Sequence, residues 1–426
     1  METNEKQPVD LPENAFRELK PGEEYKPILS PEKVYPEVNA WSVSWGIVMA
    51  VIFSAAAAFL GLKVGQVFEA AIPIAIIAVG LSGAAKRKNA LGENVIIQSI
   101  GACSGVIVAG AIFTLPALYI LQAKYPELTV NFMEVFMSSL LGGILGILFL
   151  IPFRKYFVSD MHGKYPFPEA TATTQVLVSG EKAGNQAKPL ILAGLVGGLY
   201  DFCLSTFGWW SEVLTTRILP WGTEIANQAK MVFKVNTGAA VLGLGYIVGL
   251  KYAAIICAGS FTVWFVLIPF LSYFADGQTV AVGEGVSMLI RDMSPEQLFT
   301  NYARHIGIGG IAMAGIVGII RSSGIIKQAL GLAVKELGGK KGSEEVAERT
   351  QHDLSMKFIL IGLLATLITT FIFFQFGVLG NLFQTIVAIL IVFIISFLFT
   401  TVAANAIAIV GTNPVSGMTL MTLILA

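Results

Sequence analysis

WSVSWGIVMAVIFSAAAAFLGL, residues 41–62, runs for 22 residues without an Asp, Glu, Lys or Arg. A helix of about 20 apolar residues crosses the hydrocarbon layer of a bilayer, so this stretch reads as a membrane span. Comparable blocks follow at 67–85, 99–121, 135–153, 190–207, 252–274, 303–320, 358–378 and 382–400. A shorter block lies at 237–250 and another apolar run at 415–426. The pattern predicts an all-α polytopic membrane protein of about 10–11 transmembrane segments, some of them broken or re-entrant. Composition agrees: 55% of the 426 residues are hydrophobic and 13% charged, against about 25% charged in a soluble domain.

The net charge of +0 gives no reason to expect a nucleic-acid partner. Cys103, Cys203 and Cys257 lie far apart in separate apolar blocks, and His162, His305 and His352 are equally scattered. Neither set forms a disulfide framework or a metal-ligand cluster, so no metal and no cofactor is expected. The 44 glycines suit close helix packing in lipid.

Lys86-Arg87-Lys88 follows the second span, and basic loops stay cytoplasmic, which puts the N-terminus inside. Residues 1–40, with prolines at 8, 12, 21, 27, 31 and 36, read as a polar cytoplasmic tail. They contain no basic region leading into an apolar signal core, so residues 41–62 are expected to act as the targeting signal. The segment 321–357 carries Lys327, Lys335, Lys340, Lys341 and Arg349 and is also expected inside. That parity requires 237–250 to cross as its own short span, turning at Lys251.

Three polar stretches interrupt the apolar blocks. The first, KYPFPEATATTQVLVSG (164–180), has a helix-start signature: Pro168 suits the first helical position, and Glu169 sits where the dipole favours an anion. Its small side chains would let another helix come close, so it either dips back among the spans or lies on the cytoplasmic surface. The second, IVGTNPVSGMT (409–419), carries Pro414 between Gly411 and Gly417 and reads as a break within a span or as a turn between two. The third, GENVIIQSIGACSG (92–105), sets Asn94 and Gln98 four apart on one helical face that continues toward Gly101 and Gly105. That face suits a cavity wall or tight packing, and Glu93 reads as a cap-region charge. Lys63, Gln66 and Glu69 read as a solvated hairpin. Asp201, inside the 190–207 block, is an intramembrane ionisable group and so a candidate functional residue, unless that span ends early.

These stretches resemble the oligopeptide transporter (OPT) family in its bacterial form, which includes the yellow-stripe-like carriers of metal chelates. The likeness runs through AFLGLKVGQVFEAAIPIAI (58–76), ENVIIQSIGACSGVIVAGAIFTLPALYIL (93–121), YPFPEATATTQVLVSGE (165–181) and GTNPVSGMT (411–419). The sequence departs at Pro168-Glu169-Ala170, where the family pattern has a smaller pair before the threonine. Family members also continue for several more spans, so the transmembrane transport domain, 41–426, is expected to be incomplete at its C-terminal end.

The resemblance implies a multi-pass cell-membrane carrier, a proton-coupled symporter of short oligopeptides, with metal chelates as the alternative substrate. A channel or structural membrane subunit is the competing class, and a homo-oligomer is one allowed assembly. An enzyme is not expected, because HExxH, GxSxG and paired-aspartate motifs are missing, and no GxxxxGK[ST] loop provides for ATP. The resemblance favours residues 164–180 as a pore-lining segment. Glu169, Thr171, Thr173, Asn94, Gln98 and Asn413 are the expected substrate contacts, with Glu169 or Asp201 carrying the coupling proton.

Overall fold

The computed structural model describes residues 11–64, 70–126, 128–180, 187–248, 250–275, 287–307 and 352–410, with isolated positions between them. The chain divides into two compact units, Met1–Ala187 with Ala312–Ala426, and Lys188–Ile311. The fold is all-α, with one short hairpin among the described residues. Six described helices are long and apolar enough to cross a membrane: Ala40–Leu62, Leu91–Lys124, Phe132–Phe153, Ala253–Phe274, Met356–Val378 and Leu382–Ile409.

The first unit opens with α1 (Ala40–Val64), α2 (Ala71–Ala84) and α3 (Leu91–Lys124). They pack through small residues. A Cβ added at Gly101 would lie 2.8 Å from Ile74 Cγ2, and one at Gly46 would lie 2.8 Å from Ile100 Cβ. Met49, Ile74, Ala78 and Ile97 fill the space between them. The block read at 99–121 therefore belongs to a 34-residue helix whose first turns carry the polar residues. α4 (Phe132–Leu150) starts where the Asn131 side chain accepts the Met133 amide at 3.0 Å, which satisfies one otherwise orphaned donor. α5 (Pro168–Gly180) follows after a π turn at Tyr156–Asp160.

The second unit contains α6 (from Ala187 to Phe202), α7 (Pro220–Gln228), α8 (Ala239–Val248), α9 (Leu250–Phe261), α10 (Ile268–Phe274) and α11 (Pro295–Leu298). Strands β1 (Val213–Thr215) and β2 (Lys234–Asn236) pair antiparallel around α7. Glu296 holds the hairpin to α11, taking Arg217 and Lys234 at 2.8 Å each. Lys251 is the second residue of α9, and residue 249, between α8 and α9, lies outside the described residues. The described part of α8 has 10 residues, about 15 Å of helix, against a hydrocarbon thickness of about 30 Å.

The chain returns to the first unit with α12 (Met356–Phe373) and α13 (Leu382–Val410). On α12 the buried residues are Ile359, Thr366 and Thr370, while Ile361, Leu364, Ile368 and Ile372 are exposed. The two threonines bond back to Gly362 O and Thr366 O at 2.8 Å, so their hydroxyls cost nothing inside the unit. An outward apolar face is what a lipid-facing helix presents.

Side-chain contacts show which loops share an end of this unit. Arg349 reaches Pro31 O at 3.3 Å and Lys33 O at 3.1 Å, and Arg154 pairs with Asp353 at 2.5 Å. Arg349 and Asp353 thus lie at the same end as the N-terminal segment and the end of α4. Residues 318–348, Gln66 and Glu69 lie outside the described residues.

Candidate functional site

α5 begins as its sequence predicts, with Pro168 in the first position and Glu169 in the first turn. Phe167, just before it, holds a φ of 38°, a left-handed conformation uncommon for a bulky residue. Its amide donates to Ala408 O on α13 at 3.0 Å, and it packs with Tyr165 against the buried Phe153, Phe157 and Ala408. This anchors the start of the helix. At the other end, a Cβ on Gly180 would lie 2.6 Å from Val79 Cγ1, so α5 meets α2 closely there. Between these two points Leu177 and Val178 are buried against Ala75 and Leu91, with Ile28 and Leu29 packed on the same cluster.

Along this helix lies a cavity of about 370 Å³, within the ordinary range of small-ligand pockets. α5 contributes Glu169, Ala170, Thr173, Thr174, Leu177 and Val178 to its wall. α3 contributes Leu91, Val95 and Gln98, α2 contributes Ala71, and α13 contributes Ile407. The remaining wall is Leu11, Tyr25, Ile28 and Leu29 of the N-terminal segment. The lining is mainly apolar, with its polar side chains at Glu169, Thr173 and Thr174 of α5, at Gln98 and at Tyr25.

Thr173 is 4% exposed, and its Oγ1 has no hydrogen-bond partner among the described residues. The threonines on either side differ: Thr171 Oγ1 donates to Pro166 O at 3.2 Å and Thr174 Oγ1 to Ala170 O at 2.7 Å. An unsatisfied buried hydroxyl costs about 1–3 kcal/mol, so Thr173 stands out as a group waiting for a partner. Glu169, half-buried, lines the same space.

Of the residues expected at a site, the structure brings together Glu169, Thr173 and Gln98. It sends two elsewhere. Thr171 turns its hydroxyl back to the start of its own helix, and Asn94 accepts from Ser82 Oγ at 2.5 Å, joining α3 to α2. The Asn94 face is a packing face, as the close approach at Gly101 shows. Glu93 sits in the first turn of α3, as its cap-region reading expects. It is fully buried, bidentate to Arg87, and accepts from Asn39 Nδ2 at 2.5 Å. Arg87 lies over the Trp41 ring at 5.1 Å from its centroid. Asp201 belongs to the second unit, where its Oδ1 accepts the Ala239 amide at 2.7 Å. Asn413 and residues 411–419 lie outside the described residues.

Residues 37–426 match the OPT oligopeptide transporter protein family. The chain belongs to that family. A relative from Haemophilus influenzae, named "Putative oligopeptide transporter", is 27% identical over 380 residues, 86% of this chain. The chain spans 56% of that relative's length. No solved structure matches. The matched OPT region takes in α1 to α13, and so every cavity residue except Leu11, Tyr25, Ile28 and Leu29.

The four N-terminal wall residues were hidden in the sequence by their surroundings. Tyr25, Ile28 and Leu29 stand among charges and prolines, and the whole segment reads as solvated tail. The signal that was available is the apolar cluster itself, between Pro27 and Pro31.

Proposed function

We propose that this chain carries the substrate site of a secondary active, proton-coupled carrier of short oligopeptides in the cell membrane. The N-terminal segment faces the cytoplasm, because Lys86, Arg87 and Lys88 lie at the same end of the first unit. Family membership supports the class of function, and the cavity along α5 supports the location. The observation that carries the location is the unpartnered Thr173 hydroxyl. A hydroxyl both donates and accepts, so it can meet a peptide N–H or a peptide C=O. The surrounding wall of Leu91, Val95, Leu177, Val178 and Ile407 suits apolar side chains.

Glu169 supplies the charge. As a carboxylate in the first turn of a helix it suits a substrate's amino group, and as a proton acceptor it suits coupling. Glu169→Gln in reconstituted vesicles separates the two roles. A coupling role leaves peptide exchange intact and lowers gradient-driven accumulation about tenfold or more. An amine anchor loses affinity in both assays. Wild-type behaviour in both would remove α5 from the substrate path.

A further inference from the structure

Residues 11–39 contain one short turn of helix, Glu13–Ala15, and otherwise irregular chain broken by five prolines. Nothing in their composition calls for burial, yet they are fastened to the first unit at several points. The Tyr25 ring lies 5.0 Å from that of His162, and His162 Nε2 is 2.8 Å from Asn14 O. The segment's backbone presses directly on two glycines. A Cβ on Gly163 would lie 2.0 Å from the carbonyl carbon of Arg17, and one on Gly92 would lie 2.7 Å from Pro36 O. Arg349 binds Pro31 O and Lys33 O and lies 3.6 Å from the Glu37 carboxylate.

Within the segment, Arg17 and Glu23 form a two-point clamp at 2.8 Å each, closed by the Lys20 amide at 2.9 Å. The Arg17 guanidinium holds the Glu23 carboxyl down to about 2. A depressed carboxyl contributes above its ordinary range and is lost only as pH falls through about 2. Glu23 therefore stays ionised beside Arg17 at physiological pH, and the pair is no pH switch.

The fastenings to the unit are single contacts: backbone packed on two glycines, one ring pair, and side chains of the unit bonded to the segment's carbonyls. The segment continues into α1 at Ala40, but among the described residues no sheet ladder ties residues 11–37 to the unit, so they can lift about that end without breaking a cooperative backbone network. Its prolines limit the freedom gained on release, which favours return to the same place. Leu11, Tyr25, Ile28 and Leu29 all line the cavity.

We propose that residues 11–37 are a strap closing the α5 cavity at this end, and that substrate passes there only when the strap lifts. The proposal rests on the reading of that cavity as the substrate site. The test uses the intact protein with Cys103, Cys203 and Cys257 replaced by serine. Thr173→Cys is the reporter, labelled by a membrane-impermeant maleimide from the strap side in inside-out vesicles. Loosening the strap with Arg349→Ala and His162→Ala raises the labelling rate about tenfold, as a larger open fraction requires. In a second protein, Tyr25→Cys and His162→Cys are joined by a short reducible cross-linker. Uptake then falls about tenfold or more and returns on reduction, which excludes misfolding as the cause.

An unchanged labelling rate in the loosened protein, or undiminished uptake in the cross-linked one, overturns the strap. A tripeptide added during labelling tests the cavity separately. If the strap variants change the rate but the peptide never protects Thr173→Cys, the strap stands and the cavity is not the substrate site.

Discussion

Two of the polar places among the described helices differ in kind, the turns of α5 around Glu169 and Thr173 and the end of α6 around Asp201. Each combines a carboxylate with neighbouring hydroxyls or aromatic rings, and by sequence either could serve a carrier. The structure uses them differently. Asp201 accepts the Ala239 amide at the very start of α8, and Ser205 Oγ bonds back to the Asp201 carbonyl at 2.8 Å. Those groups answer the local needs of two helix ends. Around Thr173 the balance is open: a buried hydroxyl lacks a partner, beside a cavity. What separates a candidate site from a structural polar group here is therefore not polarity or depth. It is whether the hydrogen bonding is already complete.

The sharpest way to break this comparison is to fill the cavity. Thr173→Trp adds a bulky ring where the wall is almost fully buried, and uptake should drop about tenfold or more, to background. Thermal melting read alongside shows whether the fold survives. A folded Thr173→Trp protein that still takes up peptide at the normal rate would place the substrate path elsewhere.

A finer test compares neighbouring hydroxyls. Thr173→Val keeps shape and removes the free hydroxyl. If that group bonds the substrate, the loss of one neutral hydrogen bond raises KM by up to about tenfold. In Thr171→Val the lost bond is internal, to Pro166 O, and KM should stay within about twofold. Equal effects at both positions would mean that α5 responds as a whole helix and that the open hydroxyl carries no special role.

The helical class and most spans could be read from length and hydrophobicity alone, because a bilayer demands both. The start of α5 could also be read, since Pro168 and Glu169 obey local rules of helix initiation. Which side of each helix faces the cavity could not. Asn94 and Gln98 lie four apart on one face, yet Asn94 bonds to Ser82 on α2 while Gln98 reaches the cavity. A difference that small depends on where α2 and α5 lie against α3, and no periodicity records it. Glu93 shows the same limit. Its burial depends on Arg87 and Asn39 arriving from two other segments. The N-terminal wall was harder still, because prolines and charges mask Tyr25, Ile28 and Leu29, which tertiary contact half-buries.

The smallest expected effect on transport is at Asp201, and it sharpens the comparison from the other side. Asp201→Ala removes an acceptor from the first amide of α8, and loss of such a cap costs about 0.5–2 kcal/mol of stability. Melting should fall by a few degrees, while exchange and gradient-driven accumulation stay near wild type. Asp201→Asn keeps an acceptor oxygen for the Ala239 amide and removes the ionisable group. A structural cap predicts that this variant melts close to wild type and transports normally. A proton carrier predicts the same normal melting and normal exchange, but lost accumulation. The two substitutions together therefore separate stability from coupling at one position. If Asp201→Asn loses accumulation while folded, a carboxylate whose hydrogen bonding looks complete is nonetheless part of the transport cycle, and the contrast with Thr173 fails.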